Sequence, residues 1–165
     1  MIGGADELSL RAVARRVGVS ATAVYRHFPD KGALLTAVAS AGLERLGQAQ
    51  RAAFDAAGGG LDGFNATGVA YVRFALDHPA LFRLIFARPV GDAMDQATGD
   101  PDDAMTFLLA NAAALAPSGT DGHVFALQAW SLAHGLARLM LDGQVPVDLA
   151  LAARVIDVHA MRGRQ

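Results

Sequence analysis

The chain predicts an all-α protein: a small N-terminal helix-turn-helix unit joined by one long helix to a larger helical unit. Three observations lead there. Hydrophobic residues make up 53% of the 165, and Ala, Leu and Val supply most of them, so small packing residues and helix formers dominate. Apolar positions recur at helical spacing along most of the chain. Caps and breakers such as Ser9, Gly18, Ser20, Pro29 and the Gly58-Gly59-Gly60 run cut it into helix-sized pieces.

Ser9 reads as an N-cap, its hydroxyl placed to accept from the free amides of a first turn. Leu10, Val13, Ala14 and Val17 follow at helical spacing, and Gly18 supplies the left-handed residue that ends the helix. Ser20 is a second cap, with Ala21, Val24 and Phe28 forming the apolar stripe behind it. Pro29 ends this helix, because the residue before a proline resists the helical region. Asp30 caps the next one. Leu34, Leu35, Val38, Ala41, Leu43 and Leu46 carry it to about Ala56, a length suited to connecting two domains, drawn as residues 1–47 and 48–165. Beyond the glycines, helical patterns cover residues 62–77, 81–87, 102–115, 121–141 and 146–161. Residues 89–102, rich in Pro, Gly and Asp, read as a loop.

Composition excludes several classes. No cysteine means no disulfide framework and no thiolate metal site, in keeping with a reducing cytoplasm. No run of about 18 apolar residues predicts a membrane span, and the first ten residues lack a signal peptide's basic start and apolar core. The five histidines, His27, His78, His123, His134 and His159, are scattered with no i, i+4 pair, so no metal is expected. Gly58-Gly59-Gly60 lacks the Lys-Ser/Thr sequel of a phosphate loop, and no serine sits in a Gly-x-Ser-x-Gly elbow. The expectation is a non-enzyme without cofactor.

The net charge of −2 is unevenly distributed. Residues 9–31 hold Arg11, Arg15, Arg16, Arg26 and Lys31 against Asp30 alone, whereas the remainder is acidic. A basic head on an acidic body suits a nucleic-acid contact confined to one end. The recognition helix would be Ala21–Phe28, with Ser20 at its cap. Thr22 can offer a hydroxyl or methyl to a base edge, Ala21 or Ala23 can touch a thymine methyl, and Arg26 can donate twice to guanine. Arg15 and Arg16 read as a solvated face. Tyr25 reads equally as core or as surface.

Residues 121–141 and 146–161 are apolar nearly all round and would have to be buried on every side. A second copy of the same surface is the simplest cover. Ala126, Ala129, Ala133 and Ala137, with Gly135, would allow close approach, and Leu141, Leu149, Ala153 and Ile156 would extend a symmetric dimer interface.

Ser9–Lys31, with Val13-Ala14, Gly18-Val19-Ser20, Tyr25-Arg26-His27-Phe28 and Lys31, resembles the DNA-binding motif of the TetR family of bacterial transcriptional regulators. Tyr71-Val72-Arg73-Phe74-Ala75, His78-Pro79, Leu81-Phe82-Arg83-Leu84-Ile85-Phe86 and Trp130-Ser131-Leu132-Ala133-His134-Gly135 resemble a subgroup whose regulatory domain carries a Trp…His-Gly signature. The resemblance implies a homodimeric regulator, usually a repressor, released from a double-stranded, palindromic operator by a small hydrophobic or aromatic effector. It implies phosphate contacts by Tyr25, His27 and Lys31. It places an effector pocket in the helices after residue 60, with Phe64, Tyr71, Phe74, Phe82, Phe86, Phe107 and Trp130 as aromatic candidates and Asn65, Asn111, Gln128 and His134 as polar ones. Each aromatic also reads as ordinary core. His134 has three readings: ligand contact, bond across the dimer, or satisfied interior histidine. Family members carry a further helix ahead of this motif, and Gly3-Gly4-Ala5-Asp6 resembles the loop after it. The expectation is therefore a head lacking one brace, and the alternative function is a helical ligand-binding and dimerisation module with impaired DNA binding.

Overall fold

The computed structural model describes residues 9–87 and 104–158. Among the described residues, eight helices follow in order: α1 (Leu10–Val17), α2 (Ala21–His27), α3 (Lys31–Ala56), α4 (Gly60–Asp77), α5 (Pro79–Ile85), α6 (Ala104–Leu115), α7 (Gly122–Leu141) and α8 (Leu149–Val155). There is no strand among the described residues, and the all-α expectation holds. The chain divides into one unit up to Ala41 and a second from Gly42, so the boundary falls inside α3. The loop expected at 89–102 lies outside the described residues, as does His159.

In the first unit the caps act as the sequence requires. Ser9 Oγ accepts from the Ala12 amide at 3.2 Å, and Ser20 Oγ from the Ala23 amide at 3.1 Å. Gly18 ends α1 at φ 75°, donating to the carbonyls of Ala14 and Arg15, while Val19 N–H reaches Ala14 O at 3.0 Å. A side chain in that left-handed region is strained. Gly18→Ala is therefore expected to cost about 1–2 kcal/mol, read as a lower midpoint for loss of head helicity in a urea titration. Asp30 caps α3 through its side chain, Oδ1 accepting from the Ala33 amide at 2.8 Å. Among the described residues of this unit, Leu10 and Ala14 are the buried ones.

The second unit has two apolar clusters. The larger joins Leu46 of α3, Tyr71, Val72, Phe74 and Ala75 of α4, Phe82 of α5, Ala133, Leu136, Ala137 and Met140 of α7, and Ala152 and Ile156. The smaller joins Phe64, Ala112, Phe125, Ala126 and Val158, with Phe64 and Phe125 stacked at 5.6 Å. Trp130 packs against both. Helix α4 can approach the last segment because Gly68 has no side chain: a Cβ there would stand 2.4 Å from Ile156 Cγ2.

Two expectations need correction. The helical pattern expected over 146–161 is interrupted: α8 covers Leu149–Val155, Ile156 and Asp157 leave it, Val158 is again helical, and residues 159–161 lie outside the described residues. A long-range clasp takes over: Asn65 Oδ1 accepts from the Val158 amide at 2.8 Å, and Asn65 Nδ2 donates to Asp157 Oδ1 at 3.2 Å. The second concerns α7, which is long and apolar enough to cross a membrane by length and composition, although no such run was expected. It is a core helix: Phe125, Ala126, Ala133, Leu136, Ala137 and Met140 are buried within the unit.

Candidate functional site

The first site is the reading head. Helix α2 buries none of its residues, and Thr22, Tyr25, Arg26 and His27 are all exposed. Tyr25 keeps 46% of its surface in solvent, which decides between its two readings in favour of surface. Ser20 is also exposed and holds the helix start, while Ala21 and Ala23 are partly covered. Lys31 is the first residue of α3, beside the Asp30 cap. Thr22, Arg26 and His27 thus lie exposed on one short helix, with Lys31 just beyond it at the start of α3, an arrangement that a major groove accepts.

The second site lies in the larger cluster. Tyr71, Phe82, Phe86, Trp130 and His134, all candidates from sequence, converge there. Phe82 meets Tyr71 edge-on at 5.5 Å and stacks on His134 at 5.4 Å, and Phe86 meets His134 at 4.9 Å. Trp130 Nε1 donates to Tyr71 Oη at 3.3 Å, and Tyr71 Oη lies 2.8 Å from His134 Nδ1. Tyr71 and Phe82 are buried, whereas Phe86, Trp130 and His134 are only partly covered, so one edge of the cluster reaches the surface. Burial holds the Tyr71 hydroxyl well above the usual phenol range, partly offset by the Trp130 bond. Burial, followed by the positive field of Arg138, pushes His134 below the ordinary imidazole value.

That shift has a sign. The unfolded chain takes up a proton near pH 6.5, and the folded chain resists it. The stability contributed by neutral His134 is fully present above that range and is lost as the pH falls through it. Lowering the pH from about 7.5 to about 5.5 should lower the urea midpoint, and His134→Asn should make that dependence shallower.

The remaining candidates are dispersed. Phe64 belongs to the smaller cluster, and Phe107 packs edge-on against Phe54 at 5.4 Å. Phe74 is buried in the larger cluster, with its ring against His78 rather than among the rings around His134. Gln128 is exposed on α7. Asn65 is committed to the α8 clasp, and Asn111 Nδ2 donates back to Phe107 O at 2.8 Å.

Phe74 instead borders an open groove of about 490 Å³ in the second unit. Ala49 and Ala53 of α3 line one wall, and Ala66, Val69, Ala70, Arg73, Phe74 and Asp77 of α4 the other, with His78 at the end. Of these residues only Phe74 is an effector candidate from sequence. The signal was a stripe at i, i+3, i+4, i+7, i+8 and i+11 on α4, hidden because alanine marks a groove and a close packing alike.

The interface set expected for a second copy is divided by burial. Ala126, Ala133, Ala137 and Ile156 are sealed inside their own chain and leave no surface for a partner. Ala129, Leu141 and Leu149 are partly covered, and Ala153 is exposed. The outward face of α7 is another stripe, Val124, Leu127, Gln128, Ser131 and Leu139, whose three hydrophobic members each leave nearly half their surface in solvent.

These features define a helix-turn-helix head followed by a larger helical unit, and the comparisons agree. Residues 3–38 match the profile described as bacterial regulatory proteins, tetR family, and residues 64–159 match that of the tetracyclin repressor-like C-terminal domain. The chain belongs to the tetR family of bacterial regulators; it is a DNA-binding transcriptional regulator and not an enzyme. Among solved structures it is similar to a protein with unknown function from Rhodococcus sp. RHA1, at 30% identity and a TM-score of 0.78, covering 98% of this chain and 87% of that one. It is also similar to a protein described as a regulatory protein, SCO4313, at 28% identity and a TM-score of 0.67, covering 98% and 89%. No curated protein matches it.

Proposed function

We propose that the chain is a cytoplasmic homodimeric repressor that holds a palindromic operator and releases it when a small hydrophobic effector enters the aromatic cluster of the second unit. The observation that carries this reading is α3. It is one continuous helix, and its residues up to Ala41 belong to the reading head while those from Gly42 belong to the unit with the cluster. A ligand can shift such a regulator only through different affinities for its binding-competent and mis-spaced states. Two recognition helices must stand about 34 Å apart to enter successive major grooves. A change at Leu46, which is buried in the same cluster as Tyr71 and Phe82, therefore bears on the helix that carries the head.

The dimer is expected to use the outward stripe of α7. Leu127→Glu places a charge on a residue that is 46% exposed in the single chain and should leave folding intact. It should convert a dimeric mass to a monomeric one in light scattering at micromolar concentration. A wild-type chain that is already monomeric there defeats the dimer. The regulatory reading is tested by a gel shift on the DNA upstream of the chain's own gene: a low-salt shift, abolished by a hydrophobic effector, is expected. Binding that no effector alters defeats ligand control.

A further inference from the structure

The Tyr71–His134 pair fixes more than packing, because its hydrogens can be placed. The indole of Trp130 only donates, so Tyr71 Oη accepts from it. The buried Tyr71 hydroxyl still has a proton to give, and His134 Nδ1 is its one acceptor among the described residues. His134 Nδ1 is then the unprotonated nitrogen, and the neutral ring carries its hydrogen on Nε2. Nε2 has no partner among the described residues. The imidazole is only partly covered, so one side of the ring reaches the surface.

The surroundings favour one kind of ligand atom. Phe82, Phe86 and Trp130 surround the imidazole with apolar surface. Among the described residues, Arg83 and Arg138 share the one carboxylate of Asp142, at 3.7 and 3.3 Å, so two guanidinium groups meet a single negative charge beside the cluster. Arg138 stands one turn along α7 from His134, and its field acts on the ring. A donor hydrogen set in aromatic surface near a net positive charge selects an acceptor that is apolar behind and negative in front.

We propose that His134 is the specificity-determining donor of the effector site: held as the Nε2–H tautomer by Tyr71, it recognises the carboxylate of a small amphipathic acid whose apolar part lies on Phe86 and Trp130. This rests on the reading of the aromatic cluster as the effector site. A neutral hydrocarbon of the same shape would leave Nε2–H without a partner and bind more weakly. The same geometry divides the possible replacements. Asparagine can keep the acceptor for Tyr71 but removes the outer donor. Glutamine can restore a donor near the position of Nε2.

The test uses the full chain, whose single tryptophan is Trp130, so that its fluorescence reports on this site alone. The probes are 4-phenylbutyrate and n-butylbenzene, titrated in parallel, with nitrogen NMR of the histidine rings assigning the His134 tautomer. The expected result is an Nε2–H ring and quenching by phenylbutyrate at least about tenfold tighter than by butylbenzene. His134→Asn should lose that preference and His134→Gln should regain part of it. A proton on Nδ1, equal affinity for the two probes, no response to either, or an unchanged preference in His134→Asn overturns the assignment. Operator DNA added to the same samples separates the two readings. Selective binding of phenylbutyrate without release of DNA leaves the donor role standing and defeats the regulatory role of the cluster.

Discussion

Replacing Phe82 with alanine is expected to lower the unfolding free energy of the second unit by about 3–5 kcal/mol. The side chain is fully enclosed, and its ring contacts three others: Tyr71 at 5.5 Å, Phe86 at 4.9 Å and His134 at 5.4 Å. Such pairs add about 0.5–1.5 kcal/mol each beyond simple burial, so the loss falls in the upper part of the range for large-to-small changes. A domain's whole stability is about 5–15 kcal/mol, which makes this a change that threatens folding at physiological temperature. Arg83→Ala, one residue along α5, is the control. Its guanidinium is exposed, and its bridge to Asp142 is of the kind worth about 0–1 kcal/mol. Urea titrations followed by Trp130 fluorescence, at matched protein concentration because association itself stabilises, should separate the two variants clearly. Equal midpoints would mean that the ring cluster is not the centre of the core.

The elements that sequence made legible are those set by local chemistry. Ser9, Gly18, Ser20, Pro29 and Asp30 each act on amides or carbonyls within four residues, and α1, α2 and the start of α3 follow from them. What was not legible depends on distant partners. The clasp beyond the end of α8 comes from Asn65, 93 residues before the amide it captures. The polar role of Tyr71 comes from His134, 63 residues away, whose Nδ1 is satisfied within its own chain. The alanines of α7 show a different limit. Ala126, Ala133 and Ala137 suit a close helix crossing within one chain as well as one between two, and only their complete burial decides it. The aromatic cluster was half visible. Tyr71, Phe82, Phe86, Trp130 and His134 could be chosen as apolar or ring-bearing candidates, but Phe64 and Phe107 carried the same signal and went to other packing.

In the reading head, Arg26 and Lys31 are expected to fail in different ways when replaced by alanine, and the difference identifies their roles. Arg26 lies in the last turn of α2, exposed and making no described bond within the chain. If it donates twice to a guanine, Arg26→Ala costs about 1–3 kcal/mol of operator affinity, or about 5- to 150-fold, and the penalty falls on operator DNA alone. Affinity for unrelated DNA should change little, so the ratio of specific to non-specific binding collapses. Lys31 is the first residue of α3, where free amides and the positive end of the helix already favour a phosphate. Lys31→Ala should weaken operator and unrelated DNA alike and reduce the slope of log affinity against log salt by about 1. Fluorescence anisotropy on both DNAs over a salt series reads the two effects independently. A variant at Arg26 that loses affinity for every sequence equally, with a shallower salt slope, makes that side chain a phosphate contact. The sequence reading of the helix then passes to Thr22, whose exposed hydroxyl and methyl lie one turn earlier on α2.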